Sequence, residues 1–212
     1  MAKTAAIILA AGKGTRMSSK KPKVLHKLSG KYLIQHVIEK TQKAEIKQII
    51  IVIGHKGEEI KSALGGEYTY AWQKEQLGTG HAVMQALDYL EEGIERVLVL
   101  SGDVPLLTGE RINELIKNFQ KEGAGAAILT ANYEDPQGYG RIVRDAQGGI
   151  LKIVEEGDAS PDEKKIKEIN SGTYCFAKEE LVSALKALTP DNVQGEYYLT
   201  DVIQMIREKG LK

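Results

Sequence analysis

The 212 residues carry 29 Lys+Arg against 29 Asp+Glu, a formal net charge of zero, which excludes the basic excess of a general nucleic-acid binder. Hydrophobic residues at 42% and charged residues at 27% suit a soluble globular chain with one sizeable core. A single cysteine, Cys175, excludes an intramolecular disulfide framework and fits a reducing cytoplasm, and no apolar run approaches the roughly 18 residues of a membrane span.

The run Thr4 to Ala10 reads as a buried parallel strand, closed by a Gly/Lys/Ser loop to about Ser19. Lys3 ahead of Ala5 to Ala11 has the outline of a signal peptide. The run is too short for that reading and passes straight into Gly12-Lys13-Gly14-Thr15-Arg16. Helical spacing covers Tyr32 to Lys43, with apolar residues at 33, 34, 37 and 38. Ile49 to Ile53 is a second buried strand, Lys56 to Leu64 a short amphipathic helix and Tyr68 to Trp72 a third strand. A helix follows over Gly80 to Leu90, with Thr79 as its cap. Arg96 to Leu100 is a fourth strand ending in Ser101-Gly102-Asp103, then come a helix over Thr108 to Lys121 and a strand over Ala126 to Ala131.

This alternation predicts an α/β fold: a mostly parallel, doubly wound, Rossmann-like sheet with helices on both faces. After about Asp135 the pattern changes. Gly138 to Val143 and Ile150 to Val154, joined through Gln147-Gly148-Gly149, read as an inserted hairpin. Glu156 to Glu168 is charged and reads as an exposed excursion, followed by a strand over Thr173 to Ala177 and helical segments near 179–188 and 197–208. The chain divides on this reading into a part at about 1–134 and a substrate-facing lobe at about 135–212. It shows no internal repeat.

In such sheets ligands bind beyond the carboxyl ends of the strands, where both the glycine loop and Asp103 fall. Glycines there let backbone N–H groups approach phosphates closely. The loop is neither a Walker A motif nor a full dinucleotide fingerprint, and a plain strand-to-helix turn remains the alternative. Arg16 and Lys23 suit phosphate, one bidentate and one a point charge, although Lys20, Lys21 and Lys23 also read as a solvated basic loop. Asp103 suits Mg²⁺, or else a turn that satisfies backbone N–H groups. His81 reads as helix-start packing, His26, His36 and His55 as structural, Cys175 as core, and Trp72 as buried beside the base site.

The ordered motifs resemble the sugar-nucleotide pyrophosphorylase family, in particular its uridyltransferases that form UDP-N-acetylglucosamine. Leu9-Ala10-Ala11-Gly12-Lys13-Gly14-Thr15-Arg16-Met17 with Pro22-Lys23-Val24-Leu25 resembles the signature loop. Gln73 to Ala82 resembles the uracil-binding segment, and Gly102-Asp103-Val104-Pro105-Leu106 the metal segment. Gly138 to Ile142, Ile153 to Glu155, Glu168 to Gly172 and Gln194 to Asp201 complete the series, which runs from residue 4 to about 208.

The resemblance implies uridine contacts from Leu9, Ala10, Ala11 and Gly12, and triphosphate contacts from Gly14, Thr15 and Arg16. It implies phosphate binding by Lys23 and uracil reading by Gln73, Gly78 and Thr79. Asp103 would hold Mg²⁺, with Ser101 and Gly102 beside it in the substrate site. Gly140, Glu155 and Asn170 would hold the sugar, with Tyr198 and Thr200 in its pocket. Arg16, Lys23 and Asp103 are the implied catalytic residues.

The implied partners are UTP and N-acetylglucosamine 1-phosphate, with no nucleic acid and no membrane, in a cytoplasmic enzyme serving peptidoglycan synthesis. The family's second metal ligand, an asparagine downstream of the last helix, and its C-terminal left-handed β-helix with acetyltransferase activity and trimer contacts fall outside these 212 residues; oligomeric state stays open. Two rivals also stay open: a nucleotidyltransferase using CTP, dTTP or another sugar, and a non-catalytic nucleotide-sugar-binding module.

Overall fold

The structure, a computed structural model, describes residues 3–14, 17 and 19–212. β1 (Lys3–Leu9) leads through the glycine loop and a 3₁₀ turn at Lys23–Leu25 to a small ribbon, β2 (Lys27–Leu28) and β3 (Lys31–Tyr32). Then come α1 (Leu33–Lys43), β4 (Gln48–Ile53), α2 (Gly57–Leu64), β5 (Thr69–Trp72) and α3 (Thr79–Met84). β6 (Ile94–Ser101), α4 (Gly109–Glu122) and β7 (Ala126–Asn132) follow. The chain closes with β8 (Arg141–Arg144), β9 (Ile150–Val154), β10 (Glu168–Ala177), α5 (Lys178–Ala187) and α6 (Asp201–Glu208).

One sheet runs in the order β5-β4-β1-β6-β10-β8-β9, with β7 also paired to β10. β5, β4, β1 and β6 are parallel, while β10 runs antiparallel to β6, β7 and β8. The parallel strands carry continuous apolar runs because both faces are covered: Ala5, Ala6, Ile7 and Ile8 are all at 0% exposure. Ala5 and Ile7 pack with α3, α5 and α6; Ala6 and Ile8 pack with α1, α2 and α4. Helices therefore cover both faces, as the alternation predicts. The hairpin after 138 also forms, as β8 and β9.

Several boundaries differ from the expectation; β10 starts at Glu168 rather than Thr173, because Glu168, Ile169 and Asn170 pair with Asn132, Ala131 and Thr130 of β7. Thr79 is the first residue of α3 rather than its cap; Gly78 holds the cap position at φ 107°. The Thr79 hydroxyl instead accepts from the Leu199 N–H at 3.0 Å. α3 ends at Met84, and only a 3₁₀ turn continues at Leu87–Tyr89. The last helix starts at Asp201 rather than 197, because Tyr197 and Leu199 give their N–H groups to Leu77 O and Thr79. The charged excursion is exposed over most of its length, as expected, and two ion pairs anchor it: Glu156 binds Arg141, and Glu163 binds Lys152 at 2.9 Å.

Candidate active site

The chain leaves β1 toward β4 and β5 on one side and later lays β6 on the other. A crevice opens where those directions part, beyond the carboxyl ends of β1 and β6. A cleft of about 530 Å³ lies there. Leu9, Ala11, Gly12, Gly14, Lys23, Gln73, Gly78, Thr79, Ser101 and Asp103 line it. Three sequence-distant motifs thus meet on one surface.

Glycine shapes the floor. The Gly102 N–H donates to Leu9 O at 2.9 Å, and a Cβ on Gly102 would sit 2.9 Å from that same oxygen. Gly14 has φ 62°, and its Cβ would lie 3.0 Å from Lys23 Cβ, so the loop folds flat onto the lysine. Ala10 turns away from the main cleft, at 4% exposure, and borders a smaller hollow of about 90 Å³ with Pro22 and Lys23. Gly102 sits beneath the surface as a spacer between strand ends. Thr15 and Arg16 lie outside the described residues.

Lys23 and Asp103 form an ion pair across the cleft. Their side chains stay 43% and 24% exposed, so both can exchange this contact for a ligand. Among the described residues no cluster of three His, Cys, Asp or Glu could hold a metal by itself. A single carboxylate beside a phosphate-sized loop still suits Mg²⁺, which takes one or two carboxylates plus substrate phosphates.

The segment after β5 forms the opposite wall. Gln73 is only 3% exposed yet borders the cleft. Its side-chain Nε2 donates to Gly78 O at 2.9 Å and lies 3.1 Å from His81 Nδ1. Gly78 is pressed against the 196–197 backbone: a Cβ would stand 2.6 Å from Tyr197 O. Tyr197 N–H donates to Leu77 O, and Gly80 N–H donates to Tyr197 O, both at 2.8 Å. These contacts bring Glu196 into the cleft wall. Trp72 does not flank this wall; its ring lies where a Cβ on Gly57 would touch it, in the layer of α2.

The remaining residues gather on the antiparallel side. A Cβ on Gly140 would meet Glu155 Oε2 at 3.3 Å and Asn170 Cβ at 3.5 Å. The Asn170 N–H donates to Gly140 O at 2.9 Å. A bulge in β10 between Asn170 and Thr173 turns this corner toward β6, and a Cβ on Gly172 would meet Ser101 Oγ at 2.7 Å. Asn170 Nδ2 donates to the Tyr174 hydroxyl at 2.7 Å. Thr200 donates to Glu155 Oε1 at 3.2 Å, and Tyr198 donates to Asp158 Oδ2 at 3.2 Å. Burial first, then the Asp158 and Glu155 charges, push the Tyr198 phenol upward.

Sequence reasoning missed several supports. Lys13, Gln76 and Glu196 line the cleft, and the motif pattern alone gives none of them a role. Arg141 is 2% exposed, pairs with Glu156 at 2.7 Å and donates to Tyr139 O, so it braces the 138–140 turn. Glu156 falls below the usual carboxylate range, held first by the Gly138 N–H and then by Arg141. A larger cavity of about 590 Å³ lies elsewhere, beside β7 and α6. Its rim charges pair off, Arg144 with Glu168, Arg207 with Asp145 and Lys212 with Glu122.

The fold and this cleft define a class: a doubly wound α/β protein with a nucleotide-type crevice at its switch point. The nucleotidyl transferase family model matches residues 5–212, and the chain belongs to that family. It is 52% identical over 210 residues to "Bifunctional protein GlmU" of Heliobacterium modesticaldum, covering 99% of this chain and 46% of that one. It is 53% identical over 205 residues to "Bifunctional protein GlmU" of Limosilactobacillus fermentum, covering 97% and 45%. The chain spans about half the length of these curated relatives. A crystal structure of UDP-glucose pyrophosphorylase complexed with UDP-glucose superposes with a TM-score of 0.82 at 19% identity, covering 99% of this chain and 88% of that one. That likeness shows the fold. Among the described residues no helix is long and apolar enough to cross a membrane.

Proposed function

We propose that this chain transfers a uridylyl group from UTP to N-acetylglucosamine 1-phosphate, giving UDP-N-acetylglucosamine and pyrophosphate. The observation that carries this reading is the meeting of the glycine loop, the Lys23–Asp103 pair and Gln73 in one cleft, with the Gly140–Glu155–Asn170 corner joined to it at Ser101. Identity near 50% to proteins named GlmU supports the same choice within the family.

The nucleotide lies along the loop, with Leu9, Ala11 and Gly12 under the uridine and Gln73, Gly78 and Thr79 at the base. The sugar phosphate enters from the Gly140, Glu155 and Asn170 side, with Tyr198 and Thr200 behind it. Residues 1–134 supply the nucleotide side and 135–212 the sugar side, apart from Glu196 in the nucleotide wall. A sugar-phosphate oxygen attacks the α-phosphorus in line; the new P–O bond forms as the bond to the β-phosphate breaks and pyrophosphate leaves. No protein nucleophile is needed, since positioning and charge stabilisation supply most of the catalysis. Lys23, released from Asp103, neutralises phosphate charge, and Arg16 is assigned to the departing pyrophosphate. Mg²⁺ held by Asp103 would supply further charge neutralisation on the phosphates.

Pyrophosphate release measured across UTP, CTP, dTTP, ATP and GTP with several sugar 1-phosphates tests the reading. UTP with N-acetylglucosamine 1-phosphate is the expected best pair. A higher kcat/KM for another pair moves the chain to a different branch of the family, and no release with any pair contradicts catalysis.

A further inference from the structure

We propose that His81 is a positioning residue that fixes the Gln73 amide so that only an acceptor faces the base, and that this sets the choice of pyrimidine. The inference deepens the uridylyl-transfer reading and rests on it. Gln73 is nearly fully buried, so its amide hydrogens must find acceptors within the protein. Its two Nε2 hydrogens have two acceptors, Gly78 O at 2.9 Å and His81 Nδ1 at 3.1 Å. With both hydrogens spent, Oε1 is what remains, and no donor among the described residues reaches it. Gln73 therefore presents a hydrogen-bond acceptor to the cleft it borders.

The arrangement fixes the imidazole as well. The Gln85 side-chain nitrogen lies 3.2 Å from His81 Nε2, so two amides flank one ring. A neutral imidazole accepts at one nitrogen and donates from the other. The Gly78 carbonyl sets the Gln73 amide independently, so Nδ1 is the bare nitrogen. The Gln85 Nε2 donates to His81 O at 3.3 Å, which holds that amide beside the ring. The relay reads Gly78 and His81 to Gln73, then Gln73 to the base.

An acceptor at that point matches a base with an imide N–H, as uracil and thymine have. Cytosine offers a bare ring nitrogen there, and two acceptors repel. Removing His81 leaves one Gln73 hydrogen unpaired and frees the amide to turn, so a donor can meet cytosine.

The test compares kcat/KM for UTP and CTP in the wild type, His81→Ala and His81→Asn. The asparagine oxygen can stand near the position of Nδ1, so this variant keeps the acceptor. The UTP:CTP ratio is expected to fall about tenfold in His81→Ala and to stay within about threefold of wild type in His81→Asn. Equal losses for both nucleotides in His81→Ala, with the ratio preserved, would reduce His81 to packing and overturn the inference. If His81→Ala does not fold, His81→Leu takes its place as the variant without an acceptor: a fallen ratio supports the relay and a preserved ratio overturns it. A wild type that turns over UTP and CTP equally contradicts the base-side reading itself, and the relay with it; a wild type that prefers UTP while His81→Ala keeps that preference contradicts only the relay.

Discussion

The two sides of the cleft are built by different means. On the parallel side, position comes from topology: Leu9, Gln73 and Asp103 sit where strands end, and the sheet's register fixes where that is. On the antiparallel side, position comes from side-chain clamps. Asn170 leans on Tyr174, Thr200 on Glu155, and the 138–140 turn on Arg141 and Glu156. A strand end is held by a whole ladder and two apolar layers, so a single substitution there changes chemistry more than geometry. A clamp depends on one or two polar contacts, so a single substitution changes geometry first.

The largest expected effect is on the parallel side. Asp103→Asn should keep the fold and lower kcat by about 10²–10³-fold, because a carboxylate becomes a neutral amide at the phosphate site. Steady-state kinetics at saturating Mg²⁺ checks this, and near-normal turnover would remove Asp103 from the catalytic set. The next effect strikes the joint between the sides. Gly78→Ala places a methyl about where Tyr197 O stands, at a φ that L-residues avoid. Unfolding free energy should fall by about 1–3 kcal/mol in urea titrations, with weaker nucleotide binding in the folded fraction.

A smaller effect tests the clamps. Burial pushes the Tyr174 phenol upward, so it remains a neutral hydroxyl able to accept from Asn170. Tyr174→Phe should raise KM for the sugar phosphate roughly three- to tenfold and leave KM for UTP unchanged, since one hydrogen bond orients Asn170. An unchanged sugar KM would show that β10 alone orients Asn170.

What could be read in the sequence follows the same division. Apolar runs such as Ile49 to Ile53 and the turn glycines after them are local signals, so the parallel strands and the loop at Gly12 were legible. The hairpin at Gln147-Gly148-Gly149 was legible for the same reason. Thr79 misled because a threonine before a helix usually caps it, and nothing local shows that Leu199, 120 residues away, needs its hydroxyl. Arg141 gives no local signal of its role, since its partner Glu156 belongs to a segment that reads as plain solvated charge. The close approach of Gly172 to Ser101 beside the β10 bulge joins two distant segments, which no single segment encodes.

The smallest prediction concerns that charged segment. Lys152, and then Ser160, hold the Glu163 carboxyl down at about 2. A lowered folded value contributes stability above the unfolded carboxylate range and loses it as pH falls toward 2. Between about pH 5 and 2, Glu163→Gln should therefore show a shallower decline in melting temperature than the wild type. Parallel curves would mean that Lys152 does not hold this carboxylate.

The measurement that tests the two-sided cleft most directly is a crossed kinetic comparison of Gln73→Ala and Asn170→Ala. With both substrates varied, Gln73→Ala should raise KM for UTP while leaving that for N-acetylglucosamine 1-phosphate near wild type, and Asn170→Ala should do the reverse. If both variants raise the same KM, or if neither separates the substrates, the division of this cleft into a base side and a sugar side is wrong.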